Sequence, residues 1–136
     1  MDAISHDMTE LVRAVKLQER AACAGFDWPG PEPVLDKLRE ETGELIEAMA
    51  TGKPERIEDE LGDLLFVLTN LARQLGVNPE TALRRANAKF ERRFRAMEQA
   101  AGGLEQLRGM NLDQMEDLWQ QVKAMARAAA NDGSNT

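Results

Sequence analysis

The sequence predicts an all-α protein, a bundle of four or five helices. Apolar residues recur at spacings of three and four along almost the whole chain, and no segment alternates strictly enough to form a strand. Clusters of glycine and proline separate these periodic segments. The length of 136 residues, with 43% hydrophobic and 30% charged residues, fits one folded domain. We therefore predict a single domain over residues 1–130 and a disordered tail, NDGSNT, over residues 131–136.

The first two helices are bounded by strong stop signals. Apolar spacing starts the first helix near Met8, and Gly25 should end it. The connector that follows, GFDWPGPEP at residues 25–33, contains three prolines and two glycines and is expected to be rigid. The second helix should end at Gly52, with Pro54 shortly after it.

The third and fourth helices meet at a short turn. The third is expected over residues 55–75, with Gly76 as the residue just after its C-cap. Asn78 and Pro79 then supply an N-cap and a first-turn proline for the fourth helix. The glycine pair at residues 102–103 should end the fourth helix.

The last two long helices carry aromatic residues on their apolar stripes. Phe90 and Phe94 are spaced to lie in the core on the fourth helix. Asn111 followed by Gln114 resembles a capping box for the last helix. Trp119 lies on the apolar stripe of that helix, so packing is its first expected role.

Composition excludes several classes of function. No apolar run approaches the roughly 20 residues that a membrane span needs, and the polar, acidic start is unlike a signal peptide, so we expect a cytoplasmic location. A single cysteine, Cys23, excludes an internal disulfide, and the one histidine, His6, lies near the chain end. The net charge of −7 argues against non-specific nucleic-acid binding. With no tyrosine, chemistry should depend mainly on carboxylates, lysine and arginine.

Two acidic motifs lie at helical spacing. The first, REETGE, contains Glu41 and Glu44; the second, EDELGD, contains Glu60 and Asp63. Residues three apart share a helix face, so each pair points one way. Glu40 falls farther round, toward the side expected to face water.

Folding alone gains nothing from four carboxylates in one cleft. Like charges three apart cost a helix a few tenths of a kcal/mol, and Asp63 borders the strongly apolar segment at residues 64–71, where a carboxylate is costly to bury unpaired. A hard divalent cation such as Mg²⁺ favours this arrangement, because it takes oxygen ligands and bridges carboxylates to phosphates. The alternative interpretation is an ordinary solvated, glutamate-rich helix face.

The fourth helix carries the candidate phosphate-binding residues. Lys89 and Arg93 are four apart on the flank of the aromatic stripe, where a lysine and the planar fork of an arginine could hold phosphates. A surface salt-bridge face is the alternative. Asn87 could orient a substrate or bond to a helix end, and Trp28 could be a hydrophobic plug, which we favour, or a stacking surface for a base.

Taken together, these motifs resemble a known family. EETGE (40–44) followed by ELGD (60–63) is similar to the E-E-x-x-E … E-x-x-D pattern of the all-α nucleoside triphosphate pyrophosphohydrolases. GFDWP, the long segment ELGDLLFVLTNLARQLGVNPETALRRANAKFERRFRAME and the late LWQQVK resemble the MazG branch. The similarity covers about residues 8–127. Many MazG proteins carry two such units, and this chain contains one, which resembles the second.

The resemblance implies hydrolysis of NTPs or dNTPs between the α and β phosphates, giving the monophosphate and pyrophosphate. It implies a Mg²⁺ cofactor, with Mn²⁺ as a possible substitute, and the ligands Glu41, Glu44, Glu60 and Asp63. Glu40 would be an accessory ligand, a group behind the ligands or a base, and Glu41 and Glu44 are also candidate bases. Substrate contacts would come from Lys89, Arg93, Asn87 and Trp119. The family is usually dimeric, so we expect a homodimer or higher homo-oligomer.

Two other hypotheses remain at this point. One is a relative specialised for dUTP, dCTP or phosphoribosyl-ATP. The other is not enzymatic: an acidic helical module that binds a nucleotide or a protein partner without turnover.

Overall fold

The computed structural model describes residues 1–134, and that part of the chain is helical with no strand. Its six helices are α1 (Glu10–Cys23), α2 (Pro31–Thr51), α3 (Pro54–Gln74), α4 (Pro79–Ala101), α5 (Leu104–Arg108) and α6 (Leu112–Ser134). The all-α prediction is confirmed. The predicted number of four or five helices was too small, because the five-residue α5 is too short to show a periodic pattern.

The helix ends form as the capping signals predict. Gly52 takes the left-handed conformation, with φ 66°, just after α2, and Gly76 has φ 70° just after the C-cap of α3. Asn78 Oδ1 accepts hydrogen bonds from the amides of Glu80 and Thr81, as an N-cap side chain does. These ends set the length and direction of the helices that carry the acidic motifs.

The predicted capping box at the start of α6 is also present. The Asn111 amide donates to Gln114 Oε1 at 3.0 Å, and the Gln114 amide donates to Asn111 Oδ1 at 2.8 Å. The helix continues to Ser134, so residues 131–134 of the expected tail are helical. Residues 135 and 136 lie outside the described residues.

The chain divides into two compact units, one at residues 1–83 and a second that begins at Arg84. In the first unit, α3 packs against both α1 and α2. Its buried apolar residues are Val34, Ala48 and Val67. In the second unit, Met97, Leu107 and Val122 form a core that aromatic and methionine side chains of α4 and α6 surround. The prediction of one domain over residues 1–130 stays a prediction.

Several side chains expected in the core are exposed within this chain. Phe90 on α4 is 60% exposed, although its neighbour Phe94 packs against the second core. On α3, Leu65 and Leu68 are 49% and 44% exposed, so the strongly apolar segment at residues 64–71 has one open face in this chain. No helix in the described part of the chain is both long enough and apolar enough to cross a membrane.

Candidate active site

Helices α2 and α3 form a helical hairpin that brings the two acidic motifs together. Only Gly52 and Lys53 separate the two helices, and such a short connection makes neighbouring helices run antiparallel. Residues at similar distances from the turn therefore face each other. Glu41 and Asp63 meet this condition, and so do Glu44 and Glu60.

Three of the four predicted ligands lie together. One carboxylate oxygen from each of Glu41, Glu60 and Asp63 lies within 4.8 Å of the other two. Glu41 is buried, at 6% exposure, Glu60 is half-buried and Asp63 is exposed. The cluster therefore runs from the interior of the hairpin to solvent, which gives a ligand a path of entry.

The cluster is electrostatically unbalanced. Glu41 Oε2 and Glu60 Oε2 are shielded from solvent, and neither has a hydrogen-bond partner among residues 1–134. The negative charge of Glu41, together with desolvation and the charge of Glu60, raises the pKa of Glu44 above its ordinary 4.5. Glu44 thus belongs to the same field of like charges, although it is not one of the three clustered carboxylates.

Lys37 is the cation nearest to the cluster, and the sequence analysis did not select it. Its ammonium lies 3.2 Å from Glu41 Oε1 and 3.3 Å from Glu40 Oε1, and the hydrogen bond that it donates to Glu41 is the main reason that the pKa of Lys37 is raised. Its spacing of four residues from Glu41 was the available signal. Glu40 itself is exposed, as expected.

These residues fit a hard divalent cation. All the clustered donors are carboxylate oxygens, the ligands that Mg²⁺ and related ions prefer. Two of the oxygens are buried without a donor in the described chain, and each such acceptor carries the full cost of lost hydration. A cation among them would neutralise the repulsion and complete both acceptors.

The predicted phosphate-binding residues line a groove in the second unit. Lys89 and Arg93 both line a cavity of about 680 Å³ between α4 and α6, and Arg92 lines it as well. Neither Lys89 nor Arg93 forms an ion pair with another residue in the range 1–134. The groove therefore keeps uncompensated positive charge in a chain whose net charge is −7.

The other two predicted substrate contacts, Trp119 and Asn87, differ in burial and in their neighbours. Trp119 is half-buried, its ring centroid lies 5.5 Å from that of Phe90, and the Arg93 guanidinium stacks over it at 6.0 Å. Trp119 therefore orients Arg93. Asn87 is exposed and does not line the groove.

A polar network that the sequence analysis missed anchors the residues before α2. Arg73 donates to both carboxylate oxygens of Asp27, and Gln74 Nε2 donates to Asp27 Oδ1 and to the carbonyl of Trp28, each at 3.1 Å. The hydrogen bond from Arg73 is the largest influence on Asp27 and holds its pKa below the ordinary 3.8. No periodic signal joins residues so far apart in sequence.

An all-α chain with a carboxylate cluster on a helical hairpin defines a class of candidate metal-dependent proteins, and comparison with known proteins identifies the family. Residues 30–97, which include both acidic motifs and Lys89, match the MazG nucleotide pyrophosphohydrolase domain. The chain belongs to this family.

Individual proteins of known name that resemble this chain support the same family. The nucleoside triphosphate pyrophosphohydrolase of Escherichia coli (strain K12) is 50% identical over 127 residues, which cover 90% of this chain and 48% of the relative. The nucleoside triphosphate pyrophosphohydrolase/pyrophosphatase MazG of Thermotoga maritima is 43% identical over 115 residues, 83% of this chain and 44% of the relative. A phosphoribosyl-ATP pyrophosphatase of Methylococcus capsulatus is 29% identical over 92 residues. The chain spans about half the length of the first two relatives.

Proposed function

We propose that this chain hydrolyses nucleoside triphosphates, NTPs or dNTPs, at the α–β phosphate bond and releases the monophosphate and pyrophosphate. The observation that carries the proposal is the cluster of Glu41, Glu60 and Asp63, with two buried oxygens that no described residue satisfies. The family membership and the names of the E. coli and T. maritima relatives support it. Its role in a cytoplasmic setting would be to remove unwanted nucleotides from the pool.

The cofactor in this proposal is Mg²⁺, with Mn²⁺ as a substitute, held by Glu41, Glu44, Glu60 and Asp63. When bound, Mg²⁺ would supply charge neutralisation for the phosphates and a lower pKa for water. The raised pKa of Glu44 supports its inclusion, since it reflects the same unbalanced charge. Lys37 forms ion pairs with Glu40 and Glu41 and so neutralises part of this charge. It would thereby hold the carboxylates in place before substrate binds.

Water attack needs a base, and three glutamates of the first acidic motif are the candidates. Glu40, Glu41 and Glu44 all lie on the helix that lines the cluster. All three carboxylates stay candidates for the group that takes the proton of the attacking water.

Lys89 and Arg93 are the proposed phosphate ligands, and Trp119 positions the guanidinium. Charge that develops on the leaving pyrophosphate is best stabilised by cations already free of partners, and these two form no ion pair within residues 1–134. Asn87 has the weakest support, because it lies outside the groove.

We also propose that the chain works as a homodimer or higher homo-oligomer. Apolar side chains of the α2–α3 hairpin are exposed in the single chain, among them Ile46 and Met49 at 61% each and Leu65 at 49%. An open apolar face of this kind marks an interface. Sedimentation or light scattering would measure the mass in solution, and a monomer at all concentrations would contradict this part.

Product analysis tests the reaction. Incubation of ATP and of dGTP with Mg²⁺ should give the monophosphate and pyrophosphate in equal amounts, and an EDTA control should give neither. A diphosphate and inorganic phosphate would mean cleavage of the wrong bond. Binding of ATP without any product would favour the non-enzymatic nucleotide-binding module.

A further inference from the structure

Phe90 is the most exposed aromatic side chain of the second unit. It is 60% exposed, whereas Phe94 and Trp119 are half-buried. Burial of apolar surface stabilises a fold in proportion to the area removed from water, and most of this ring stays in water. Folding of the second unit thus gives only a weak reason for phenylalanine at this position, and none of the roles proposed for the active site uses it.

Two aromatic rings contact Phe90. The Phe94 ring stacks on it, with the two centroids 6.1 Å apart and the planes inclined by 13°. The Trp119 ring has its centroid 5.5 Å away and is tilted by 44°. Phe94 and Trp119 both pack against the buried core of this unit. Phe90 therefore lies on the solvent side of the three rings.

Trp119 contacts two side chains of α4 at once. Phe90 packs against its ring, and the Arg93 guanidinium lies over the ring at 6.0 Å from the centroid. Phe90 and Arg93 are three residues apart, so they project from the same side of α4. The ring that Phe90 contacts is thus the same ring that the Arg93 guanidinium lies over.

Arg93 depends on this ring for its orientation. It forms no ion pair with another residue in the range 1–134. A cation is attracted to the negative face of an aromatic ring and not to its positive edge, so the attraction is lost if the ring turns edge-on. The direction of the guanidinium therefore depends on the plane of the Trp119 ring.

We propose that Phe90 is a positioning residue for the phosphate-binding groove. Its ring holds the plane of the Trp119 ring, and Trp119 in turn holds the Arg93 guanidinium at the groove. Phe90 itself contacts no substrate, since it does not line the groove. This inference rests on the proposed function, because it concerns how Arg93 would be directed toward the phosphates of that substrate.

Phe90→Leu tests this role, because leucine keeps an apolar side chain but has no ring. Without the ring, kcat/KM for ATP should fall about three- to tenfold, which is the range that the strength of one aromatic pair corresponds to. Phe90→Tyr keeps the ring and should have the kcat/KM of the parent. An equal kcat/KM in Phe90→Leu and the parent would overturn the proposal.

Leu112→Ala is the matched control in the second unit. Leu112 is 72% exposed and is not one of the three aromatic residues, so its loss removes exposed apolar surface alone. This variant should keep the kcat/KM of the parent, and a loss as large as that of Phe90→Leu would overturn the proposal. Absence of turnover in the parent would instead contradict the proposed function.

A double-mutant cycle separates positioning from a purely structural role. Arg93→Gln removes the cation that is positioned, so Phe90→Leu should lower kcat/KM by less than twofold in that background. If Phe90 only stabilised the second unit, Phe90→Leu would lower kcat/KM by the same factor with Arg93 and with glutamine at that position. That result would overturn the proposal.

Tryptophan fluorescence tests the contact between Phe90 and Trp119 without any turnover. The chain has two tryptophans, so Trp28→Phe leaves Trp119 as the one emitting indole. In this background Phe90→Leu should move the emission to longer wavelength and increase quenching by acrylamide, because the indole loses a ring that shields it. Unchanged emission and quenching would mean that Phe90 does not hold the Trp119 ring, and the proposal would be wrong.

Light scattering tests a different reason for an exposed ring, namely a contact between copies of this chain. Phe90→Leu should have the same mass in solution as the parent at every concentration measured. A lower mass would mean that Phe90 acts at an interface between copies and not through Trp119, and this would also overturn the proposal.

Discussion

The molecule has two acidic sites beside or on α3: the single side chain of Asp27 and the carboxylate cluster of the α2–α3 hairpin. The charges that surround them are opposite in sign. Asp27 receives hydrogen bonds from Arg73 and Gln74, and these lower its pKa. The cluster on the α2–α3 hairpin has more carboxylates than cations, and the like charge of Glu41 raises the pKa of Glu44. Asp27 is thus an acid that stabilises the fold through donors within the chain, whereas the clustered acids destabilise the fold until a ligand neutralises them.

The largest expected effect is on turnover when a cluster carboxylate is neutralised. Asp63→Asn keeps the shape of the side chain but removes a charged ligand, so kcat/KM should fall on the order of a hundredfold or more. Pyrophosphate release measures the loss. Glu41→Gln should behave alike. Circular dichroism should show that both variants remain helical.

Glu47→Gln is the matched control on α2, because Glu47 is exposed and outside the cluster. Its turnover should equal that of the parent. If Asp63→Asn also matched the parent, the metal assignment would be wrong.

The second effect is on stability in the presence of the ion. A cation that binds only the folded protein stabilises it by about 2.7 kcal/mol at one hundred times its Kd. Mg²⁺ should therefore raise the thermal midpoint of the parent protein, and Asp63→Asn should lose most of this rise. The Asp27→Asn variant provides the contrast, since it should respond to Mg²⁺ as the parent does. An equal Mg²⁺ response in Asp63→Asn would place the ion elsewhere.

The third effect is on the stability of the protein when Asp27, the acid with hydrogen-bond donors around it, is replaced. Asp27→Asn should destabilise the protein at pH 7 by about 1–3 kcal/mol, because Arg73 loses its charged partner. A carboxyl whose folded pKa is lowered stabilises the fold above its ordinary value of 3.8 and loses this contribution as the pH falls through the folded pKa. The difference between parent and variant in urea unfolding should therefore shrink below pH 3.8.

The control for this prediction is Asp36→Asn. Asp36 pairs with Arg39, and both side chains are about three-quarters exposed, so the change should cost little. A difference between Asp27→Asn and the parent that stayed constant from pH 7 to pH 3 would contradict the lowered pKa.

The smallest effect has the opposite sign. Glu44→Gln should slightly stabilise the protein at pH 7 in EDTA, because it removes one of the repelling charges. A carboxyl whose folded pKa is raised favours the fold below its ordinary value of 4.5 and loses this contribution as the pH rises through the folded pKa. The gain should thus be present at pH 7 and absent at pH 4. A gain of equal size at both values would mean that charge is not its cause.

Local signals in the sequence predicted most of the helix ends and the grouping of the acids. Gly52, Gly76 and Asn78 act within a few residues of their position, and the structure has them where such signals place them. The acidic pairs could be predicted because a short turn between two long helices dictates which residues face each other. The roles of these acids remain proposals.

Features that depend on long-range packing could not be predicted. The pairing of Asp27 with Arg73 and of Gln18 with Thr69 joins distant segments, and neither leaves a periodic trace. Apolar spacing also does not distinguish a side chain buried in its own chain from one that is left exposed, which is why Phe90 was expected in the core.

The tight turn at Gly52 and Lys53 also bears on how the protein folds. All four proposed ligands fall between residues 41 and 63, so they come together through contacts of short sequence separation. Proteins with low contact order fold quickly, because little loop-closure entropy is lost before such contacts form. We therefore expect the hairpin to assemble early in folding. Divalent ions added during refolding should raise the folding rate only if the carboxylates already meet in the transition state.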